Sequence, residues 1–271
     1  MVSPSKIGPF GLNIFRVGIS LILFWTIWTF SKTSAKIEKK DIPRFILCGI
    51  TGITINQLLF IKGLTQTSSI HAALLMLCTP LLISVFAFWF LKEQFNWKKA
   101  MGLSLGIGGA VLLIATKDPN GDASMHGDLL IVINAISYAI YFILAKPLML
   151  KYSPLHVIRW VFSFGFIFMF PFGIGEVMEI NWSVVHLADY ITVLCIILGG
   201  TFAGYSFNAF GLKHLGAGIT GSYIYTQPIF AAIIAAIFFH EGFSFPKLIA
   251  GALIFSGVYL VSKKDLPAIA D

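Results

Sequence analysis

Polar side chains that can bind a solute interrupt the long apolar stretches of this sequence. The set consists of Asn56, Gln57, Asn134, Tyr138, Tyr205, Asn208, Tyr225 and Gln227. Asn134 and Tyr138 are four residues apart, so on a helix they project from one side. Amides and phenols in apolar helices either bind a solute or form hydrogen bonds between helices, and both interpretations stay open for each single residue. As a group they predict a cavity that accepts a polar metabolite.

Three basic groups lie near predicted helix ends and extend this chemistry. Arg16 and Arg159 each follow the start of an apolar run, and His71 begins another. A guanidinium binds a carboxylate or phosphate well, but near a helix end it can also reach toward the membrane interface. His71 could titrate during function or simply cap its helix. We predict that Arg159 and His71 belong to the binding site together with the polar set.

Acidic and nucleophilic residues argue against an enzyme. All 12 Asp and Glu residues fall at predicted helix ends, in loops or at the terminus, so no carboxylate pair is predicted within an apolar run. His240-Glu241 lacks the second His of a zinc protease motif. The 3 cysteines form no CxxC pair. The sequence therefore predicts no catalytic centre, no metal and no cofactor.

Composition indicates that these residues lie in a lipid bilayer rather than in water. Of the 271 residues, 57% are hydrophobic and only 11% are charged, against about 25% in ordinary soluble domains. A lipid bilayer accommodates such an apolar surface, and water does not. The net charge of +7 comes mainly from Lys residues in short loops, which favours a membrane protein over a partner of nucleic acid.

About nine stretches are long and apolar enough to cross a bilayer as helices. The predicted spans are Gly11–Phe30, Pro43–Ile61, Ser68–Leu91, Lys98–Ala115, Gly127–Ala145, Leu155–Gly175, Ala188–Phe207, Gly218–Phe239 and Pro246–Val261. Pro80 and Pro228 lie inside two of them and remove a helix hydrogen bond. They are predicted hinges, although a kink could equally serve packing. Basic residues concentrate in the loops on one side, which predicts a multi-pass protein of the plasma (inner) membrane with a cytoplasmic C-terminus.

The sequence contains an internal repeat. A shift of 148 residues superposes Pro80 on Pro228 and Glu93 on Glu241, and a shift of 143 superposes Arg16 on Arg159. The fifth predicted helix has no counterpart in the first half, so the two halves insert with opposite orientation. Inverted repeats of this kind are typical of secondary transporters.

Each half resembles the EamA repeat of the drug/metabolite transporter superfamily. The resemblance depends on a helix with a central Pro, a Glu just beyond its end and a Gly-rich helix, read first as Pro80, Glu93 and Gly102 and again as Pro228, Glu241 and Gly251. It implies an all-α integral membrane fold of two inverted repeats, over residues 1–115 and 127–262. The family layout has ten helices, and the first of them is not found here. Either the start codon is assigned too late or the sequence is truncated, which we favour, or the natural protein has nine helices.

The resemblance also implies a function: a permease that moves a small polar metabolite, such as an amino acid, with export more frequent than import. The alternative is a non-transporting or truncated, inactive membrane protein. The expected partners are the substrate and the lipid bilayer. The GxxxG spacings at Gly102/Gly106 and Gly200/Gly204 permit a homodimer, but they favour packing within the chain.

Overall fold

The computed structural model describes residues 7–30, 36–91, 96–115, 124–214 and 245–262, together with positions 230, 234 and 237. Over these residues the chain is helical apart from short turns, and no strand occurs among them. The all-α membrane fold predicted from composition is therefore confirmed.

Seven helices are long and apolar enough to cross a membrane, and one shorter apolar helix follows them in the described part of the chain. They are α1 Pro9–Phe30, α2 Lys39–Leu64, α3 Ser69–Phe90, α4 Trp97–Ala115, α5 Met125–Lys151, α6 Pro154–Met178, α7 Leu187–Gly211 and α8 Phe245–Ser262. Each corresponds to one predicted span. The remaining predicted span, Gly218–Phe239, lies outside the described residues except for three isolated positions.

Capping residues explain why α5 and α6 begin slightly earlier than apolar periodicity indicates. The Ser124 hydroxyl accepts a hydrogen bond from the Gly127 amide, and the Ser153 hydroxyl accepts one from the His156 amide. Pro154 occupies the first position of α6, where its missing amide hydrogen has no intrahelical partner in any case. At their other ends, both helices also continue beyond the predicted limits.

Helix α1 packs in antiparallel orientation against α6, its counterpart under the 143-residue shift. At one end of the pair, the Gly11 amide donates to the Glu176 carboxylate over 2.8 Å. At the other end, the Trp25 indole donates to the Ser163 hydroxyl over 3.1 Å. The start of α1 thus lies beside the end of α6, and the reverse holds at the opposite membrane face. This is the arrangement that inverted repeats require.

The last helices of the two halves, α4 and α8, make reciprocal contacts. A Cβ added at Gly102 would lie 2.6 Å from the Gly257 carbonyl oxygen, and one added at Gly109 would lie 2.8 Å from the Ala250 carbonyl oxygen. Under the 148-residue shift, Gly102 corresponds to Ala250 and Gly109 to Gly257. The counterparts of Gly102 and Gly257 are thus Ala250 and Gly109, so the repeat converts one contact into the other, as two-fold symmetry requires. Small residues allow these two backbones to touch.

Two apolar clusters hold the bundle together, and α5 contributes to both. Phe24, Phe45 and Phe162 are central to the first, and Leu75 and Leu113 to the second. Burial in these clusters fixes the rotation of α5, so its polar face must turn toward the space between them.

A polar cluster joins loops at each membrane face. At one face, the buried Asp128 carboxylate accepts from the Thr67 hydroxyl and lies 3.0 Å from Nδ1 of His71. At the other, Lys151 forms ion pairs with Asp41 at 2.6 Å and with Glu38 at 2.7 Å. The Lys151 ammonium, with a smaller effect of Lys40, lowers the pKa of the Glu38 carboxyl below its ordinary value.

Candidate functional site

A cavity of about 230 Å³ lies between the two halves of the bundle. Five of the described helices contribute to its wall: α1, α2, α3, α5 and α7. The lining residues are Arg16, Asn56, Gln57, Phe60, Met76, Thr79, Asn134, Tyr138, Gly200, Gly204, Tyr205 and Asn208. Most of them carry hydrogen-bonding side chains, which is unusual for the interior of an apolar bundle and typical of a binding site.

Gln57 and Tyr205 join the two halves across the cavity. The Gln57 amide donates to the Tyr205 hydroxyl over 2.8 Å, and the two residues are 148 positions apart. They are therefore counterparts in the internal repeat, and their contact places them on the pseudo-two-fold axis. The Tyr205 ring is fixed by an edge-to-face contact with Phe162, with ring centroids 4.9 Å apart.

A π-helical segment precedes the polar groups in each half. The segments are Ile50–Ile55 in α2 and Ile196–Ala203 in α7, again at corresponding places. A π-helix widens the turn and breaks the regular hydrogen-bond ladder, and such segments are frequent at functional sites. In α2 the segment ends directly before Asn56 and Gln57. In α7 it contains Gly200, one of the small residues that leave room for the cavity.

Two residues of the cavity wall each carry a buried polar atom that has no hydrogen-bond partner in the described part of the chain. The Asn134 amide nitrogen donates to the Asn56 carbonyl over 2.6 Å, which leaves its oxygen Oδ1 without a donor. The Thr79 hydroxyl is likewise unpartnered. A buried polar group without a partner costs about 1–3 kcal/mol, so each atom would gain from a ligand that donates a hydrogen bond.

Arg16 brings a positive charge to the cavity. Its Nε donates to the Thr201 hydroxyl and its Nη1 to the Asn13 amide oxygen, each over 3.2 Å. Asn13 in turn donates to the Gln57 carbonyl over 2.8 Å, so the guanidinium is held from two sides. None of the ion pairs in the described residues involves Arg16, and no Asp or Glu is among the residues that line the cavity. The charge is therefore available to an anionic ligand.

The structure brings six of the predicted site residues to this cavity: Asn56, Gln57, Asn134, Tyr138, Tyr205 and Asn208. His71 and Arg159 are not among the lining residues. His71 belongs to the polar cluster with Asp128, and Arg159 lies beneath tryptophan rings at the opposite end of the α1–α6 pair. Tyr225 and Gln227, and the predicted hinge Pro228, lie outside the described residues.

Pro80, the other predicted hinge, lies just after an interruption in α3. Regular helix runs over Ser69–Met76 and resumes at Cys78–Leu91, and the Leu77 amide forms a three-residue turn to the Leu74 carbonyl over 3.1 Å. Pro80 has no amide hydrogen for the carbonyl four residues earlier, so a weakened turn before it is expected. The interruption separates Met76 and Thr79, which both face the cavity.

Sequence reasoning did not select Thr79, Met76, Phe60, Gly200 or Gly204, and it named Arg16 only as the counterpart of Arg159. One signal could have identified part of this set. Under the 148-residue shift, Phe60 corresponds to Asn208 and Asn56 to Gly204. Because both members of each pair line the cavity, the repeat register itself marked the positions close to the axis.

A family model for EamA-like transporters matches the chain twice, over residues 2–115 and 125–263. The uncharacterized transporter YetK of Bacillus subtilis is 26% identical over 92% of this chain and 76% of its own length. An uncharacterized transporter of Archaeoglobus fulgidus is 24% identical over 96% of this chain and 90% of its own.

Two further comparisons add a named function and a fold. A probable terminal-alkyne amino-acid exporter of Streptantibioticus cattleyicolor is 24% identical over 84% of this chain and 75% of its own length. One solved crystal structure superposes with a TM-score of 0.63 at 17% identity, covering 96% of this chain and 90% of that one, and so shares the fold.

Proposed function

Because the chain belongs to the EamA-like transporter family, we propose that it carries a small zwitterionic metabolite, of the size and chemistry of an amino acid, across the plasma membrane. The observation that carries this proposal is the cavity between the two halves, where seven polar side chains and the Arg16 guanidinium meet.

Charge defines the first part of the substrate. Arg16 is a partly buried cation, and no Asp or Glu is among the described residues that line the cavity, so its charge is unfavourable without a counter-ion. A substrate carboxylate would supply the missing negative charge and accept two parallel hydrogen bonds from the guanidinium. The carboxylate is therefore the group by which Arg16 recognises its substrate.

Other residues of the cavity wall suit the ammonium group of a zwitterion. Asn134 Oδ1 and the Thr79 hydroxyl oxygen are buried acceptors without donors among the described residues, and a substrate ammonium that reached them would donate to both. The cavity of about 230 Å³ lies below the range of roughly 300–1,000 Å³ that is typical of pockets for drug-sized ligands. A small metabolite fits this space better than a large drug.

Movement follows from the inverted repeat. The two halves meet at Gln57 and Tyr205, so rocking of one half against the other would open the cavity first to one side of the membrane and then to the other. We assign export as the direction, in line with the amino-acid exporter among the relatives. The C-terminus is assigned to the cytoplasm by the distribution of Lys and Arg.

The test is the composition of the medium around cells that lack the protein, overproduce it or overproduce variants. Export should raise at least one amino acid or related zwitterion in the medium of overproducing cells. Arg16→Gln should lower the export rate about 10- to 100-fold, the value expected for loss of a charge-assisted hydrogen bond. Arg16→Lys should retain part of the rate, because it keeps the charge and loses the planar fork.

Lys62→Gln is the matched control, because it removes a positive charge from the end of α2 at a residue that does not line the cavity. It should export at the wild-type rate. If the overproduced protein reaches the membrane and no metabolite changes, transport itself is refuted. If metabolites rise and Arg16→Gln exports normally, the carboxylate role of Arg16 is refuted and transport stands.

A further inference from the structure

Arg159 occupies an arrangement that leaves its hydrogen bonds incomplete. Its side chain is 2% exposed, and its guanidinium carbon lies 3.6 Å from the ring centre of Trp28 and 4.8 Å from that of Trp25. Nη2 lies 2.7 Å from Nδ1 of His156, whereas Nε and Nη1 have no partner in the described part of the chain. Stacking on a ring satisfies the charge and leaves these N–H donors unused.

The neighbourhood of Arg159 lacks other partners too. Nε2 of His156 and the indole nitrogen of Trp160 are buried and unpartnered. No carboxylate forms an ion pair with Arg159 among the described residues. A purely structural role in this helix would not require a buried cation with two N–H groups that lack a partner among the described residues. The unpartnered N–H groups of Arg159 can instead donate to a carboxylate.

Arg159 is the symmetry counterpart of Arg16. The 143-residue shift relates both the arginines and their nearest partners, because Asn13 corresponds to His156, and each partner lies three residues before its arginine. The α1–α6 contacts pair Gly18 with Phe166 and Phe24 with Phe162, so the two helices cross near residues 21 and 164. Each arginine is about five residues, or roughly 8 Å, from that crossing, on opposite sides of it.

The two arginines therefore differ in environment and match in position. Arg16 lies in the polar cavity, and Arg159 lies under an aromatic cover. A two-fold axis in the membrane plane exchanges the inner and outer faces. If the two halves exchange conformations, the carrier opens to the opposite face and the two arginines exchange environments.

We infer that Arg159 is the second carboxylate site of the carrier: it leaves the tryptophan cover and lines the cavity in the state that opens to the opposite face, while Arg16 becomes covered. This inference rests on the proposed function and adds an arginine for each face. It explains why the guanidinium of Arg159 is held by ring stacking, which breaks at lower cost than a buried ion pair.

The first experiment needs no substrate. The native cysteines Cys48, Cys78 and Cys195 are replaced by alanine, and single cysteines are introduced as Arg16→Cys and Arg159→Cys. A charged, membrane-impermeant thiol reagent is then applied to right-side-out and to inverted membrane vesicles. The cysteine at position 16 should react from one face and the cysteine at position 159 from the opposite face.

A second pair of reporters guards against variants that fold poorly. Asn13→Cys and His156→Cys occupy the corresponding neighbouring positions and keep both arginines. The same opposite sidedness is expected of this pair. If the cysteines at 156 and 159 react from neither face, or from the same face as those at 13 and 16, the inference is overturned.

The second experiment measures half-saturation concentrations with a mixture of radiolabelled amino acids, applied from each face of the vesicles. Arg16→Gln should raise the value about tenfold on one face, and Arg159→Gln should raise it about tenfold on the other. A purely structural arginine would affect both faces alike. An equal effect of Arg159→Gln on both faces therefore overturns the inference.

Failure of the inference and failure of the proposed function give different results. Opposite thiol sidedness without movement of any amino acid refutes the proposed function and leaves the exchange of the two arginines intact. Amino-acid transport with position 159 unreactive from both faces refutes the exchange and leaves the proposed function intact.

Discussion

The surroundings of Arg16 and Arg159 show how one repeat can give two different local environments. Both arginines lie in the first half of two corresponding helices, α1 and α6, and both contact the residue three positions earlier. Around Arg16, a hydroxyl and an amide satisfy the guanidinium beside a cavity. Around Arg159, the rings of Trp25 and Trp28 take their place. The sequence repeat thus fixes the position of each cation, and the packing of the opposite half fixes its environment.

The internal repeat of the sequence therefore does not make the two halves of the structure identical in their contacts. Contacts on or near the axis, such as the pair of Gln57 and Tyr205, are common to both halves. Contacts away from the axis differ, and these are the ones that must change when the cavity opens to the other side. Substitutions at the symmetric contacts and at the asymmetric contacts should therefore have different effects.

The largest effect on stability is expected where the two halves touch most closely, between α4 and α8. A Cβ at Gly257 would clash with the Gly102 carbonyl oxygen, and one at Gly109 would lie 2.8 Å from the Ala250 carbonyl oxygen. Gly257→Ala and Gly109→Ala should therefore both force the helices apart, at a cost of about 1–3 kcal/mol each. Thermal unfolding in detergent measures the loss.

Gly108→Ala is the matched control, because an added Cβ there meets nothing within 4 Å. It should leave the unfolding temperature unchanged or raise it slightly, since alanine favours the helix. If Gly109→Ala and Gly257→Ala differed greatly in cost, the α4–α8 contact would not be two-fold symmetric. If neither differed from Gly108→Ala, the close approach of these helices would be refuted.

The fold of this chain was largely predictable from the sequence, whereas the cavity was predictable only in part. Apolar length and short loops specify the helices, because lipid demands internal hydrogen bonding over the whole thickness of the membrane. The polar set was identifiable because polar side chains avoid lipid. Their grouping was not, since helix rotation depends on packing that no single span contains.

The sequence did not distinguish the polar residues of the cavity from polar residues elsewhere in the bundle. His71 and Asn56 are both polar residues in apolar runs, and only the structure distinguishes them. Asp128 begins a helix far along the chain, and its carboxylate reaches His71 through the fold. The π-helical segments were also not predicted, because they arise when a helix accommodates an extra residue against its neighbours.

An intermediate effect is expected at the symmetric contact inside the cavity. Tyr205→Phe removes the hydroxyl that accepts from Gln57, and Gln57→Leu removes the donor. Each should reduce transport about tenfold, because the remaining partner loses a buried hydrogen bond worth about 1–1.5 kcal/mol. The double variant should cost little more than either single one, because both changes delete one shared interaction. Flux in vesicles provides the measurement, and strictly additive losses would show that the two residues act separately.

The smallest effect is expected at the asymmetric ion pairs of one membrane face. Asp41 and Asp189 correspond under the 148-residue shift, yet Asp41 pairs with Lys151 while Asp189 accepts from the His186 amide at the start of its own helix. Glu38 also forms an ion pair with Lys151, which lowers the pKa of the Glu38 carboxyl. A carboxylate whose pKa is lowered in the folded state stabilises that state above its unfolded pKa, about 4.3 for Glu.

That stabilisation is lost as the pH falls below about 4.3 and through the lower folded value. Glu38→Gln should therefore lower the unfolding temperature slightly at pH 6, and the difference from wild type should disappear in acid. Glu179→Gln provides the comparison, because Glu179 is exposed and forms no ion pair among the described residues. It should leave the unfolding temperature unchanged at pH 6. A wild-type curve that Glu38→Gln matches at every pH would show that Lys151 stabilises this face through Asp41 alone.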